Sequence, residues 1–260
     1  MSAPPTQTAQ TGRLVLVPNA LDLGTELEVE LHQVLPQAVI ARAASLDHWV
    51  AENAKTTRAF LKRVDRLVPL SRPLQDIVIQ ELPRPRKGAA PAADTQDLRP
   101  LLAHSMSGHD IGLLSEAGLP AVADPGALLV HAAHLLGIPV EPLSGPSSLL
   151  LALAASGLNG QSFAFVGYLP VEAGARATRI RELDALSRRQ GQTQIAIETP
   201  YRNAALLAAL SEHLQPGTRL SVACGLTLPG GWCRTLTAKA WRDAPPALAD
   251  RLPAVFSWLA

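Results

Sequence analysis

The sequence predicts two α/β domains, and three observations point that way. Short apolar runs of strand length recur along the chain, and proline, glycine or other small residues end them. Stretches with helical periodicity lie between those runs. The 260 residues are also enough for two domains of ordinary size, each with a sizeable core.

The elements follow in order. Residues 1–12 are polar, hold two prolines and show neither a basic nor an apolar leader region, so a disordered tail is expected. The apolar run from Arg13 to Pro18 fits a strand buried on both faces of a parallel sheet. Thr25 and Glu28 have capping-box spacing, which predicts a helix from Glu26 to Leu35, and Gln37 to Arg42 then reads as a second strand. From Leu46 a long helix is expected, with Leu46, Trp49, Val50, Ala54, Phe60, Leu61 and Val64 on one side and Lys55, Arg58, Lys62 and Arg66 on the other. Ile77 to Ile79 reads as a strand, and Pro83 to Thr95 as a mobile Pro-, Ala- and base-rich connection.

Ile111 to Leu114 is a further strand. Asp124 followed by Pro125 reads as an N-cap and first helical residue, opening a helix to Leu136. A strand at Ile138 to Pro142 precedes an apolar helix that opens at Gly145 to Ser148 and ends near Ala155. The domain boundary is placed here, giving domains 13–143 and 144–260. The second repeats the alternation: strand Ser162 to Val166, helix Ala175 to Arg189, strand Thr193 to Glu198, helix Tyr201 to His213, strand Arg219 to Cys224. Trp232 to Leu236 and Pro253 to Leu259 are expected at sheet edges.

Composition narrows the function. With 47% hydrophobic and 17% charged residues the chain is globular, and a net charge of +1 gives no global attraction to nucleic acid. A basic surface must therefore be local. Between Lys55 and Lys87 nine Lys and Arg face three acids, a balance of +6, and Arg58, Lys62, Arg84 and Arg86 are the candidate RNA contacts. A plain solvated helix face followed by a basic loop reads equally well. A weaker run, Arg176, Arg179, Arg181, Arg188 and Arg189 against Glu182 and Asp184, follows later. Cys224 and Cys233 lie at no metal-ligand spacing and read as reduced thiols, so no metal is expected. No apolar run approaches the ~20 residues of a membrane span, so a cytoplasmic protein is expected.

The stretch that organises the rest runs from Leu113 to Gly126. It is a strand that stops in a loop of small residues with two glycines and two prolines, then enters a helix. In α/β proteins such a loop at the carboxyl end of a strand is where ligands sit, because its backbone N–H and C=O groups are accessible. An ordinary β–α turn has the same look. Ser147 and Ser148 at a helix start could serve a polar ligand or simply cap the helix.

Five motifs in fixed order resemble one family. They are Val17 to Asn19, Ser115 to Gly126, Pro142 to Ser148, Gly167 to Pro170 and Glu198 to Arg202. Together they resemble the tetrapyrrole methylase superfamily, class III S-adenosylmethionine (SAM)-dependent methyltransferases. The nearest branch methylates a ribose 2′-hydroxyl of small-subunit ribosomal RNA. The resemblance implies SAM in a cleft between two α/β domains, a homodimer, and ribosomal RNA or the small ribosomal subunit as partner. It maps cofactor contacts to Pro18, to Ser115, Glu116, Ala117, Gly118 and Pro120, to Ser147 and Ser148, and to Ile197, Cys224, Gly225 and Leu226.

Methyl transfer from a sulfonium is an in-line displacement that needs alignment and no metal. A ribose hydroxyl is a weak acid, so a base should help. Glu198, at a strand end, is the first candidate, with Glu52 and Arg202 next, although Glu198 could equally be a structural partner of Arg202. Three departures fall on the acceptor side: Tyr201 stands where the RNA branch carries His, Glu52-Asn53-Ala54 replaces Glu-Asp-Thr, and Leu82 to Gly88 lacks the branch's His-Asp-His-Asn. In the central loop, Glu116 replaces the branch's Asp with the same charge. A tetrapyrrole C-methyltransferase and a SAM-binding module without turnover are the alternatives, whereas the lack of a GxGxxG after the first strand speaks against a dinucleotide-binding enzyme.

Overall fold

The computed structural model describes residues 11–22, 25, 27–83, 98–248 and 251–260. They form two compact units, one gathering the described residues of 1–23 and 30–146, the other those of 24–29 and 147–260.

In the first unit the order is β1 (Leu14–Val17), α1 (Leu31–Val34), α2 (Gln37–Ala44), β2 (His48–Ala51), α3 (Ala54–Asp65), β3 (Val78–Glu81), α4 (Ala103–Met106), β4 (Ile111–Leu114), α5 (Ala127–Leu135) and β5 (Val140–Pro142). The strands make one parallel sheet in the order β3-β2-β4-β1-β5. Side chains alternate along a strand, so both faces need cover. Leu14, Ile111 and Leu113 pack with Leu102, Leu129, Ala133 and Ile138 on one face. Val15 and Val17 join Trp49, Ala51, Phe60, Leu61 and Val64 on the other. Glycine at 112 follows from this packing: it pairs with Trp49 in register, and a Cβ there would lie 2.6 Å from Trp49 Cε3.

Several expectations need correction in this unit. Gln37 to Ala44 is a helix, because Val39, Ile40, Ala43 and Ala44 are the buried residues, a three- and four-residue spacing that a strand cannot put on one side. The helix expected from Leu46 begins at Ala54. Trp49, Val50 and Ala51 are buried together in β2, between β3 and β4, and the Asn53 carboxamide caps α3 by accepting the Lys55 N–H at 2.9 Å. Thr25 bonds locally to Leu27, accepting its N–H at 3.3 Å and donating to its carbonyl at 2.9 Å, and helical backbone begins only at Leu31. Glu26, expected as the first helical residue, lies outside the described residues, as do residues 1–10 of the expected tail and 84–95 of the expected mobile connection. Gly12, placed in that tail, is buried and donates its N–H to the Ser105 carbonyl at 2.8 Å.

The second unit runs α6 (Ser148–Ser156), β6 (Phe163–Tyr168), α7 (Ala173–Gln190), β7 (Thr193–Glu198), α8 (Asn203–His213), β8 (Arg219–Cys224), β9 (Trp232–Thr237), α9 (Ala238–Asp243) and β10 (Ala254–Leu259). Its sheet is mixed, in the order β6-β7-β10-β8-β9, with β6 and β7 parallel and the other pairs antiparallel. β9 is an edge strand as expected, but β10 is central and all six of its residues are buried. Its apolar residues serve both faces: Phe256 and Trp258 pack with Leu206, Leu210 and Trp241, while Val255 packs with Leu149 and Leu153 of α6. Among the described residues no helix is long and apolar enough to cross a membrane.

Gly112→Ala should destabilise the chain by about 1–3 kcal/mol in urea unfolding, since the added methyl must displace the Trp49 ring inside a filled core. Gly160→Ala, where a Cβ meets nothing within 4 Å, should stay within about 0.5 kcal/mol of the parent. Equal effects at the two positions would contradict this packing.

Candidate functional site at the strand ends

In the first unit β1 and β4 are neighbours, with Val17 paired to Leu114, so the chain leaves both strands side by side at their carboxyl ends. Pro18 and Asn19 continue one strand, and Ser115 to Pro120 the other. A reciprocal backbone pair joins them: Asn19 N–H donates to the Gly118 carbonyl at 2.9 Å, and Gly118 N–H to the Asn19 carbonyl at 3.2 Å. The Asn19 carboxamide nitrogen donates to the Glu116 carbonyl at 3.1 Å, and its oxygen accepts the Ala20 N–H at 2.9 Å. Gly118 has φ +68°, and a Cβ on it would press within 3.3 Å of Leu21 Cδ2 and 3.4 Å of the Pro146 carbonyl. A Cβ at Gly145 would collide with Pro18. Five of the candidate cofactor residues, Ser115, Glu116, Ala117, Gly118 and Pro120, thus lie on one pinned loop next to Pro18.

The loop then winds through Ala121 and Ala123, both at φ +65°, a conformation that costs an L-residue about 1–2 kcal/mol. Such strain is held where the surroundings over-determine the backbone. Asp124 does not cap α5; the N-cap is Gly126, at φ +130° and without a side-chain bond. Its carboxyl group is instead pushed up to about 7, first by burial and then by the charges of Glu52 and Glu116. Glu52 accepts the Glu116 backbone N–H at 3.3 Å. Burial raises the Glu52 carboxyl, and the Glu116 charge adds to the rise against that hydrogen bond. Three carboxylates therefore share one corner, and burial together with the charges of its neighbours favours the protonated form of Asp124.

In the second unit the register gathers the remaining candidates. Ala254 of β10 pairs with Glu198 on one side and Cys224 on the other, so β7 and β8 end level. Ile197 and Leu226 pack on the cluster that contains Leu149 of α6, the helix that Ser147 and Ser148 open. Ser147 is the N-cap of α6, yet its side chain makes no capping bond, so the capping reading does not account for it. Gly225 turns the chain at φ +61°. Burial raises the Cys224 thiol, which keeps it neutral. Glu198 has both oxygens engaged: Oε1 accepts from the Thr199 N–H at 2.9 Å and its hydroxyl at 3.2 Å, and Oε2 pairs with Arg202 at 3.2 Å. That is the geometry of a structural partner of Arg202. Tyr201 beside it is 75% exposed.

Of the candidate RNA contacts, Arg58 and Lys62 lie exposed on α3, whereas Arg84 and Arg86 lie outside the described residues. Arg63 is paired with Asp22 at 2.8 Å and Arg72 with Asp47 at 2.9 Å, which reduces the free positive charge of this segment. Arg181, Arg188 and Arg189 line one shallow depression with Asp184 and Gln215. Two residues of the site carry no signal of their role in the sequence. Asn19 holds the loop through hydrogen bonds that no periodicity announces, and Asp124 sits in an Asp-Pro pair that looks like a cap.

Because the folded chain holds the Asp124 proton up to about pH 7 while an ordinary Asp releases it near 3.8, ionisation of this group opposes folding. Its penalty is absent at low pH and grows as pH rises towards 7. Asp124→Asn should therefore gain on the parent by roughly 1–2 kcal/mol between about pH 4 and pH 8 in urea unfolding, a figure reduced for partial exposure. A difference that does not change with pH would show that the carboxyl group is not perturbed.

Comparison with known proteins agrees with this layout. Residues 35–237 match the sequence model of the tetrapyrrole (corrin/porphyrin) methylases. Ribosomal RNA small subunit methyltransferase I of Mesorhizobium japonicum is 41% identical over 143 residues, 55% of this chain and 47% of that protein. The protein of the same name from Bacillus subtilis is 42% identical over 108 residues, 42% of this chain and 36% of that one. The matches thus span less than half the length of these relatives. Among solved structures the methyltransferase CobJ shares the fold, with a TM-score of 0.50 and 18% identity over 86% of this chain and 88% of that one. With the family match extending over most of its length, the chain belongs to the tetrapyrrole methylase family.

Proposed function

We propose that the chain is a SAM-dependent methyltransferase whose acceptor is a ribose 2′-hydroxyl of small-subunit ribosomal RNA. The observation that carries the reading is the pinned loop after β4. Its glycine leaves the backbone open where a side chain would crowd Leu21 and the Pro146 carbonyl, and a group of carboxylates stands beside it. The Ser147 hydroxyl, not spent on capping, is a second polar group for the cofactor. SAM supplies an electrophilic methyl carbon that an acceptor oxygen displaces in line. The residues of this chain bind and orient. The loop from Ser115 to Gly118, together with Pro18, holds the cofactor, and the family resemblance adds Ile197, Cys224, Gly225 and Leu226 as contacts.

A proton must leave the acceptor hydroxyl. Asp124, with its carboxyl group pushed up to about 7, is half-ionised near neutrality and suits general-base work, with Glu52 next to it. Glu198 and Arg202 position the chain after β7 through their ion pair. The names of the relatives favour an RNA acceptor, and exposed Arg58 and Lys62 can meet phosphates. We further propose a homodimer. β6 is an edge strand that exposes Phe163, Phe165 and Tyr168, an apolar surface suited to a second copy.

Isothermal titration should show SAM binding to the parent, and Gly118→Leu should abolish it. No affinity in the parent overturns the reading. With labelled SAM, small ribosomal subunits should accept the methyl group; transfer to uroporphyrinogen instead would overturn the RNA acceptor.

Arg58→Ala with Lys62→Ala should weaken RNA binding and flatten its log–log salt dependence by about 0.7–0.9 for each phosphate no longer neutralised, leaving SAM affinity unchanged. An unaltered salt slope would return these residues to a solvated helix face.

A further inference from the structure

At the amino-terminal edge of the first unit's sheet, opposite the pinned loop, four residues from two distant stretches of the chain come together. Asp47 and His48 lie at the start of β2, His104 is in α4, and His109 lies in the turn that leads into β4. The parallel register pairs His48 with Ile111, two residues beyond His109. The turn folds back on itself: His109 N–H donates to the His104 carbonyl at 3.0 Å, and Gly108 takes φ +90°. The His48 ring centroid consequently lies 3.9 Å from that of His104 and 5.1 Å from that of His109. Asp47 Oδ1 is 2.7 Å from His48 Nδ1, while its other oxygen is taken by Arg72 at 2.9 Å. Asp47, His48 and His109 each offer one donor atom, and these atoms lie within 4.8 Å of one another.

We propose that Asp47, His48 and His109 form a binding site for a divalent transition-metal ion of the zinc class, with the His104 ring tilted against that of His48 beside it. Two imidazoles and one carboxylate suit zinc, nickel or copper, and not the all-oxygen preference of magnesium or calcium. Metal–nitrogen bonds of about 2.0–2.1 Å in a tetrahedron put donors roughly 3.3 Å apart. Within the 4.8 Å bound the widest donor spacing has to close by at most about 1.5 Å, which the exposed His109 side chain can do by rotating, while Asp47 and His48 give up their 2.7 Å hydrogen bond to the ion. Asp110, next in the chain, does not compete, because Arg42 holds it at 2.6 Å and the Arg13 N–H at 2.7 Å. The ion would clip the start of β2 to the approach to β4. This site is independent of the methyltransferase reading.

The test uses the untagged full chain, stripped with a chelator and titrated with Zn²⁺ by calorimetry and with Co²⁺ by visible absorption. One ion per chain should bind, Zn²⁺ should raise the thermal midpoint, and His109→Ala should lower the affinity at least about tenfold and remove the thermal shift. His109 is exposed, so this variant should fold, and its urea midpoint without metal should match the parent's. Cys233→Ser should bind as the parent does. The absence of saturable binding, unchanged affinity in His109→Ala, or loss of binding in Cys233→Ser would each overturn the proposal.

Discussion

The reciprocal backbone pair between Asn19 and Gly118 is the constraint on which the candidate site depends. Two adjacent parallel strands end level, and without that pair the two loops would be free to separate. With it, and with the Asn19 carboxamide bonded to the Glu116 carbonyl, the loop after β4 has little freedom until it has passed Gly118. Everything placed beside it follows. Pro18 lies against Gly145, Glu52 reaches the Glu116 N–H, and the left-handed alanines lead the chain on to Asp124. The site is built from backbone geometry first and side-chain chemistry second.

That order explains what can be read in the sequence. Strands buried on both faces announce themselves as unbroken apolar runs in β1 and β4, and β7 and β8, apolar but for a few polar residues, are likewise legible to within a residue or two. The expectation of an edge for Pro253 to Leu259 fails by the same rule, since a strand apolar but for Ser257 belongs in the middle of a sheet. Val39-Ile40 is too short to distinguish helix from strand, and Trp49 to Ala51 happens to continue the helical spacing of α3 backwards. The central loop is legible because small residues, glycine and proline have few other uses in such density. The electrostatic corner is not, because Glu52, Glu116 and Asp124 meet only after the parallel register is set. The histidine cluster is the same case: cysteine spacing gives no reason to expect a metal, and His48, His104 and His109 are neighbours only through the pairing of β2 with β4.

The two ends of the first sheet differ in character. At the carboxyl end the charges are carboxylates crowded together, two of them pushed towards their neutral forms. At the amino end, Arg42 bridges Asp110 and Glu141 and holds Asp110 below the usual carboxylate range, even though burial acts the other way. One end is arranged to hold a proton that chemistry could move. The other is arranged so that opposite charges cancel and the strands are locked at their origins.

The central place of β10 also bears on synthesis. β7 and β8 have no strand between them until β10 arrives, which follows both of them and β9 in the chain. A chain still attached to the ribosome can complete the parallel sheet of its first unit, since all five of those strands precede residue 143. The second unit must meanwhile wait with two facing edges open, each carrying unpaired backbone groups that invite mispairing. The seal on the second sheet thus forms only once β10 has been made, and a chain truncated before that strand would leave a split sheet.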